Sequence, residues 1–342
     1  MTAGARLCLV FSAAILLLGG CEVEKTFTSA DYSSVVNFEA FWDIFDEDYG
    51  LFPSKNVDWD ETHSEYRHRL DTVHGDEGLF ALLTEMAELL EDGHITLSSG
   101  NRTYHCSSWK ENARQDFLDS LPPKYLPDAG YIGNITYFGF VKNTAVAYFR
   151  YPDFNKILTD YSYSRLDAVF SRSSAIIIDI RGNIGGNSTL AESLASHFFD
   201  SRAVVGYHLF NNGRHSASPV RYPAEVIPAK QYRWTDKPVA VLTDGMTYSA
   251  ASYFVLCMKQ NRRAVIVGGT TGGGAGLPVS RELPNGWLLE LSSGDTTGLD
   301  GVSIENGIAP DLELHLDEDD TLRGKDTIIE AALQLLPGSK SP

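Results

Sequence analysis

A chain of 342 residues, 43% of them hydrophobic, is long enough for one large buried core or two smaller ones. Forty-five acidic residues against 28 basic ones give a formal net charge of −17, which opposes binding to phosphate backbones and excludes nucleic acid as the partner. The sequence contains no H-E-x-x-H and no zinc-type cysteine spacing, so no metal or other cofactor is expected.

Residues 1–20 carry one charge, Arg6, before an apolar run from Leu7 to Leu18. That is a secretory signal too short to span a bilayer. It ends in "LGGC", which resembles a bacterial lipobox, so cleavage before Cys21 and lipidation of the Cys21 thiol are expected, with 21–34 as a tether. Several acyl chains, at roughly 0.8 kcal/mol per buried CH₂, anchor a protein stably. Glu22 rather than Asp follows Cys21. By analogy with lipoprotein sorting, this favours an outer-membrane address in the cell envelope if the source has two membranes. The alternative is an ordinary cleaved signal with a coincidental cysteine. Cys8 leaves with the signal, and Cys106 and Cys257 read as buried free thiols rather than as a pair.

From Val35 to Tyr49 apolar residues recur at helical spacing (Phe38, Phe41, Trp42, Phe45), and "LFALLTEMAELLEDG" repeats the pattern through Leu79, Leu82, Leu83, Met86 and Leu90. A helical subdomain over 35–100 follows. Pro122, Pro123 and Pro127 with Asp128 and Gly130 mark 101–135 as a linker. "TAVAYFRY", "SAIIIDI", "PVAVLT" and "AVIVG" are then strands, with helices at "NSTLAESLASHFF" and "SAASYFVLCMKQ" between the last three. Apolar runs without polar alternation indicate parallel strands buried on both faces, an α/β core over 136–316. "RELPNGWLLEL" reads as a β-hairpin turning at Asn285-Gly286, and a helix in "KDTIIEAALQLL" closes the chain within 317–342.

Two loops at the carboxyl ends of the strands are where an open α/β sheet usually holds its ligand. In "DIRGNIGGN" the glycines at 182, 185 and 186 admit positive φ and close approach, and the helix start beyond them offers free N–H groups. Such a turn suits an oxyanion better than a phosphate, because no Lys-Ser/Thr pair follows and G-x-G-x-x-G is absent. A tight strand-to-helix connection is the plain alternative. In "VAVLTDGMTYSAASYF", Ser249 reads either as a helix cap or as a nucleophile.

"AIIIDIRGNIGGN", "KPVAVLTDGMTYSAASYF", "VGGTTGGGAGLP", "LPNGWLLELSSG" and "DGVSIENGIAPDLEL" together resemble the tail-specific (C-terminal processing) serine peptidases, in the branch related to the tricorn protease core. "NFEAFWDIFDEDYG…VDWDETHSEYR" is similar to the helical segment of that branch, so the resemblance spans nearly all of the chain beyond the signal. It implies a core of ClpP/crotonase-like type. It also implies that Ser249 is the nucleophile, that the Ala250 N–H and Gly185 or Gly186 form the oxyanion hole, that His94 in "LEDGHITL" is the base, and that Glu305 in "IENGIAPD" is the acid that orients it.

Three departures from the pattern stand out. The lysine of a Ser-Lys dyad is missing, since "TTGGGAG" replaces the lysine-bearing stretch and no lysine lies between Lys259 and Lys325. Gly93 occupies the place of a relaying serine before the histidine, so Glu305 reaches His94 directly or through water, or Asp92 or Ser303 substitutes. The segment between Gly100 and Thr136 is too short for a PDZ module, so the cleft itself must select the substrate. The expected function is a lipid-anchored serine endopeptidase acting on peptides or exported proteins. A non-catalytic peptide- or apolar-ligand-binding lipoprotein on the same scaffold is the alternative, and a lipase-like esterase a weaker one; the oligomeric state stays open.

Overall fold

The computed structural model describes residues 33–111, 113–211 and 219–338. The signal and Cys21 lie outside the described residues. Helix α1 (Ser34–Asp48) begins where the Ser33 hydroxyl accepts the Val36 N–H, and it buries Phe38, Phe41 and Phe45 along one stripe. Helix α2 (Trp59–Leu70) is capped by Asp58 on the Glu61 N–H, and α3 (Gly75–Glu88) buries Leu79, Leu82, Leu83 and Met86. Their apolar faces merge with the first face of the central sheet into one continuous core. At roughly 1.5–3 kcal/mol for each fully buried large apolar side chain, this contact fixes the helical layer to the sheet.

The chain turns through Asp92 to His94 into a hairpin of β1 (Thr96–Ser99) and β2 (Arg102–His105). The stretch expected as a bare linker therefore begins as a strand, and it also contains β3 (Gly130–Ile132). Strands β4 (Thr136–Phe140) and β5 (Val146–Arg150) continue antiparallel from β3. Next come α4 (Asp160–Phe170), β6 (Ala175–Asp179), α5 (Ser188–Ser196), β7 (Ala203–Phe210) and β8 (Val220–Val226). The remainder is β9 (Val239–Thr243), α6 (Ala250–Lys259), β10 (Ala264–Gly268), β11 (Pro278–Glu282), β12 (Leu288–Ser292), β13 (Gly294–Thr297), β14 (Leu312–Glu313), α7 (Glu318–Leu322) and α8 (Thr327–Leu335).

The central sheet has the order β14-β10-β9-β6-β5-β4-β3, with its first five strands parallel. Ile176 and Ile178 face the core shared with the helical layer, whereas Ala175 and Ile177 face a second core under α8. Burial on both faces explains why these strands read as unbroken apolar runs. The register pairs Asp179 with Leu242, so β6 and β9 end level and their following loops leave the same edge side by side. A second sheet, β11-β12-β1-β2, contains the expected hairpin, turning at Gly286 with φ 83°. Pairing of β1 with β12, Leu97 opposite Leu289, carries the turn before β1 across to the α/β core. A third sheet, β13-β7-β8, completes the fold.

Candidate active site

Ser249 has the cap position of α6, but its side chain makes no capping hydrogen bond. Its backbone lies at φ 55°, ψ −121°, a region that costs a non-glycine residue about 1–3 kcal/mol and persists only where surroundings enforce it. Here the Ser249 N–H donates to the Gly273 carbonyl at 2.8 Å, and the Tyr248 N–H donates to the Asn183 carbonyl at 3.0 Å. The strained turn lifts the hydroxyl off the helix start, and Oγ lies 2.8 Å from His94 Nε2.

His94 Nδ1 lies 3.2 Å from Asp92 Oδ1. An ionised carboxylate only accepts, so Nδ1 carries the proton and the neutral ring presents the Nε2 lone pair to the serine hydroxyl. Asp92 is fully buried. Its Oδ1 also accepts the His94 backbone N–H at 2.9 Å, and its Oδ2 accepts the Ser292 hydroxyl of β12 at 2.7 Å. Burial pushes the Asp92 carboxyl up, but the hydrogen bonds and charge of His94, with the Ser292 bond, outweigh it and hold the group below its ordinary value. Burial pulls the His94 ring down, and the hydrogen bond and charge of Asp92, with the charge of Glu305, more than reverse this, leaving it above 6.5.

Glu305, expected as the acid that orients the ring, makes its side-chain hydrogen bonds elsewhere among the described residues. Its Oε1 accepts Lys55 Nζ at 2.7 Å and its Oε2 accepts the Ala275 N–H at 2.7 Å. The physical reason is the turn after α3: with only Gly93 between them, Asp92 folds back on both the His94 backbone and the His94 ring, and takes the place beside Nδ1. Ser303, the other alternative, donates to Asp295 at 2.7 Å. Gly93 has its own reason: a Cβ there would run into Trp109 Nε1 and lie 2.9 Å from the Tyr248 hydroxyl. Trp109 stacks on Tyr248 at 3.8 Å between ring centroids, and the Tyr248 hydroxyl accepts the Gly93 N–H at 3.0 Å. A relaying serine has no room at position 93.

The glycine turn lies against Ser249. A Cβ on Gly185 (φ 101°) would sit 2.8 Å from Ser249 Cβ and 3.0 Å from the Ala250 N. The two candidate glycines differ in what their amides do. The Gly185 N–H is used by Asn183 Oδ1 at 2.8 Å. The N–H groups of Gly186 and Ala250 donate to no group among the described residues, and Gly186 is exposed. The turn is held from below by Arg181, fully buried, whose guanidinium bonds both oxygens of Asp179 (2.9 and 2.5 Å), both of Asp326 (3.1 and 3.0 Å) and the Asp116 carbonyl (3.0 Å). Composition and spacing gave no reason to single out Ser292, Tyr248, Trp109, Lys55 or Arg181; Asp92 could be found from its place two residues before the histidine. Cys106 and Cys257 are both free and buried, as the sequence suggested. Among the described residues no cluster of His, Cys, Asp and Glu has the arrangement to hold a metal ion.

Residues 145–314 match peptidase family S41, and residues 34–88 match the tricorn protease C1 domain. The crystal structure of a peptidase candidate from Parabacteroides merdae ATCC 43184 superimposes with a TM-score of 0.82 at 32% identity, covering 89% of this chain and 96% of that one. Mature CPAF shares the fold at a TM-score of 0.65 and 12% identity, over 89% of this chain and 96% of its own. The carboxy-terminal processing protease CtpA of Bacillus subtilis (strain 168) is 27% identical over 161 residues, which are 44% of this chain and 33% of that protein, so the chain spans about a third of this curated relative. With a homologue this similar along nearly its whole length and the family's core matched in sequence, the chain belongs to peptidase family S41, a family of serine-type peptidases.

Proposed function

We propose that this protein is a serine endopeptidase that cleaves peptides or exported proteins, with Ser249 as nucleophile, His94 as general base and acid, and Asp92 as the group that orients and charges the imidazole. The observation that carries this reading is the 2.8 Å contact between Ser249 Oγ and His94 Nε2, made by a serine that does not cap its helix. In the first step the hydroxyl proton passes to Nε2 as Oγ bonds to the peptide carbonyl carbon, and the negative charge moves to the carbonyl oxygen. The Ala250 and Gly186 N–H groups are the donors left to receive that charge; one such donor typically contributes about 10²- to 10³-fold in rate. The imidazolium then gives its proton to the departing amine as the C–N bond breaks. Water, deprotonated by the same ring, releases the acyl group from Ser249. Asp92 stabilises the charged ring in both halves. Glu305 enters this scheme through its charge near His94 and its hold on the Ala275 N–H.

A fluorophosphonate probe tests the assignment. Labelling of the wild-type protein that vanishes in Ser249→Ala and falls at least about 10²-fold in His94→Ala fits it. Absence of labelling in well-folded wild-type protein supports instead the non-catalytic binding protein on the same scaffold. Parallel assays on peptide and ester substrates separate a peptidase from an esterase.

The reading includes a lipid anchor at Cys21 and a place in the cell envelope, on the outer membrane where the source has two membranes. It rests on the sequence of residues 1–21. No helix among the described residues is long and apolar enough to cross a membrane. Incorporation of radiolabelled fatty acid that is lost in Cys21→Ser, with release of the protein from the membrane fraction, is the expected result; a soluble wild-type protein without label refutes the anchor.

A further inference from the structure

Lys55 stands at a junction that the proposed reaction scheme does not use. It lies in the connection between α1 and α2, and its side chain is 10% exposed. Its Nζ donates to the Glu91 carbonyl at 3.1 Å and to Glu305 Oε1 at 2.7 Å. Glu91 precedes Asp92, so the first bond grips the turn that holds the acid and the base. Glu305 in turn accepts the Ala275 N–H with its other oxygen, and its carbonyl accepts the Gly274 N–H at 3.3 Å. The loop so held is the one whose Gly273 carbonyl receives the Ser249 N–H. One ammonium group therefore joins the segment with the base to the segment that seats the nucleophile.

The junction also balances charge. Asp92 sits against the His94 ring and the charge of Glu305 also acts on it, both carboxylates being buried, and Lys55 is the cation paired with Glu305. The groups around Glu305 are Lys55 from the α1–α2 connection, Asp92 and His94 from the turn after α3, and the phenols of Tyr49 and Tyr248. Both phenols are pushed well above 10, first by burial and then by these carboxylates. Asp295 is pushed above its ordinary value by burial, with hydrogen bonds from Ser303 and Thr296 and the charge of Lys55 pulling the other way. Glu305 itself is pushed up to about 7, first by burial and then by the charge of Asp92, with Lys55 pulling against both. Toward His94, Glu305 raises and Lys55 lowers the proton affinity of the ring.

Resting on the assignment of Ser249 and His94 as nucleophile and base, we infer that Lys55 is a positioning residue of the active site: through Glu305 and the Glu91 carbonyl it docks the base-bearing turn onto the nucleophile loop and offsets the carboxylate charge around His94. Removing its charge makes the ring easier to protonate. Removing the Glu305 charge makes it harder. Because Glu305 gains its charge only as pH rises through about 7, removing both should nearly cancel above that pH.

The test follows the rate of fluorophosphonate labelling from pH 5 to 9 on the purified chain, with Ser249→Ala as the blank. In Lys55→Met labelling at pH 6 should slow by about 10-fold against wild type, and the gap should narrow toward pH 9, because the acid limb moves to higher pH. Glu305→Gln should move that limb to lower pH. The double variant Lys55→Met/Glu305→Gln should return it toward wild type, and Lys55→Arg should leave it in place. A limb that does not move in Lys55→Met, or that the double variant does not restore, overturns the inference. So does a rate loss of equal size at every pH, the mark of a purely structural lysine. If Lys55→Met alone does not fold, the double variant decides: loss of both partners of a buried pair is close to neutral, so its failure to fold also overturns the inference. Wild-type protein that does not label refutes the catalytic assignment first, and this inference falls with it.

Discussion

Asp92→Asn separates the two carboxylates near His94 most sharply. The substitution keeps the shape of the side chain and the Ser292 contact but removes the negative charge beside Nδ1. In the proposed acylation the ring becomes an imidazolium, and the charge facing it is worth about 4 kcal/mol at a separation of about 4 Å and an effective dielectric of about 20. That is a loss of about three powers of ten in kcat/KM. The loss has a directional partner. Burial and Lys55 act downward on the ring, and Asp92 is the leading influence raising it above 6.5, so the acid limb of the kcat/KM profile should move to lower pH in the variant. The assay is hydrolysis of an unstructured peptide library, or probe labelling, from pH 4 to 9, with circular dichroism to verify the fold. A loss below 10-fold, or an acid limb that stays or rises, refutes Asp92 as the charged partner of the base. It would return that role to Glu305.

Three further substitutions probe what surrounds the site. Gly93→Ser should not install a relay: its Cβ meets Trp109 Nε1 and the Tyr248 hydroxyl, so it should cost about 1–3 kcal/mol by overpacking and change the near-ultraviolet signal of the Trp109–Tyr248 stack. An unchanged melt and spectrum would disprove that crowding. Arg181→Met leaves Asp326 buried without its cation and Asp179 with only Arg150 at 3.8 Å, and a denaturant titration should show a loss of about 3–5 kcal/mol; a loss under about 1 kcal/mol counts against Arg181 as the support of the glycine turn. Glu305, pushed from 4.5 to about 7 in the folded chain, contributes stability that is fully present below pH 4.5 and lost as pH rises through about 7. The melting temperature of Glu305→Gln relative to wild type should therefore climb between pH 4.5 and 7, and a flat or falling difference contradicts this.

The legibility of the sequence followed the physics of each segment. The four principal strands of the parallel sheet were readable because burial on both faces removes polar residues from runs such as Ala175 to Asp179. Helix α1 was readable because Phe38, Phe41 and Phe45 keep the period of its buried face. Strand β8 was not, since four of its first residues are exposed, and β13 was not, since its buried residues are Gly294, Asp295, Thr296 and Thr297. Neither carries an apolar signal. Motif order pointed to Ser249, His94 and Glu305, but motif order does not encode distance. Which carboxylate faces the ring depends on how the Asp92 turn closes, and that closure is set by the pairing of β1 with β12 and by the Ser292 hydroxyl 200 positions away. Gly276 belongs to the same long-range arrangement: a Cβ there would strike Ser292 Oγ and lie 3.1 Å from His94 Nδ1.

The backbone of Ser249 offers the strictest check on whether the site is built around the nucleophile. At φ 55°, ψ −121° a side chain is strained by about 1–3 kcal/mol, whereas glycine adopts this region freely. Glycine ordinarily loses to alanine by roughly 0.5–1 kcal/mol because it has more unfolded freedom to surrender. At this position the order should invert. Ser249→Ala and Ser249→Gly both lack the hydroxyl and the contact with His94, so comparing them isolates the backbone: Ser249→Gly should be more stable by about 1 kcal/mol, read as midpoints in urea with equal m-values. If Ser249→Ala proves the more stable, the turn is not strained. The hydroxyl would then reach His94 without the surrounding contacts from Gly273 and Asn183 having to hold it there, and the view that local stability is given up to present a nucleophile would fail for this chain.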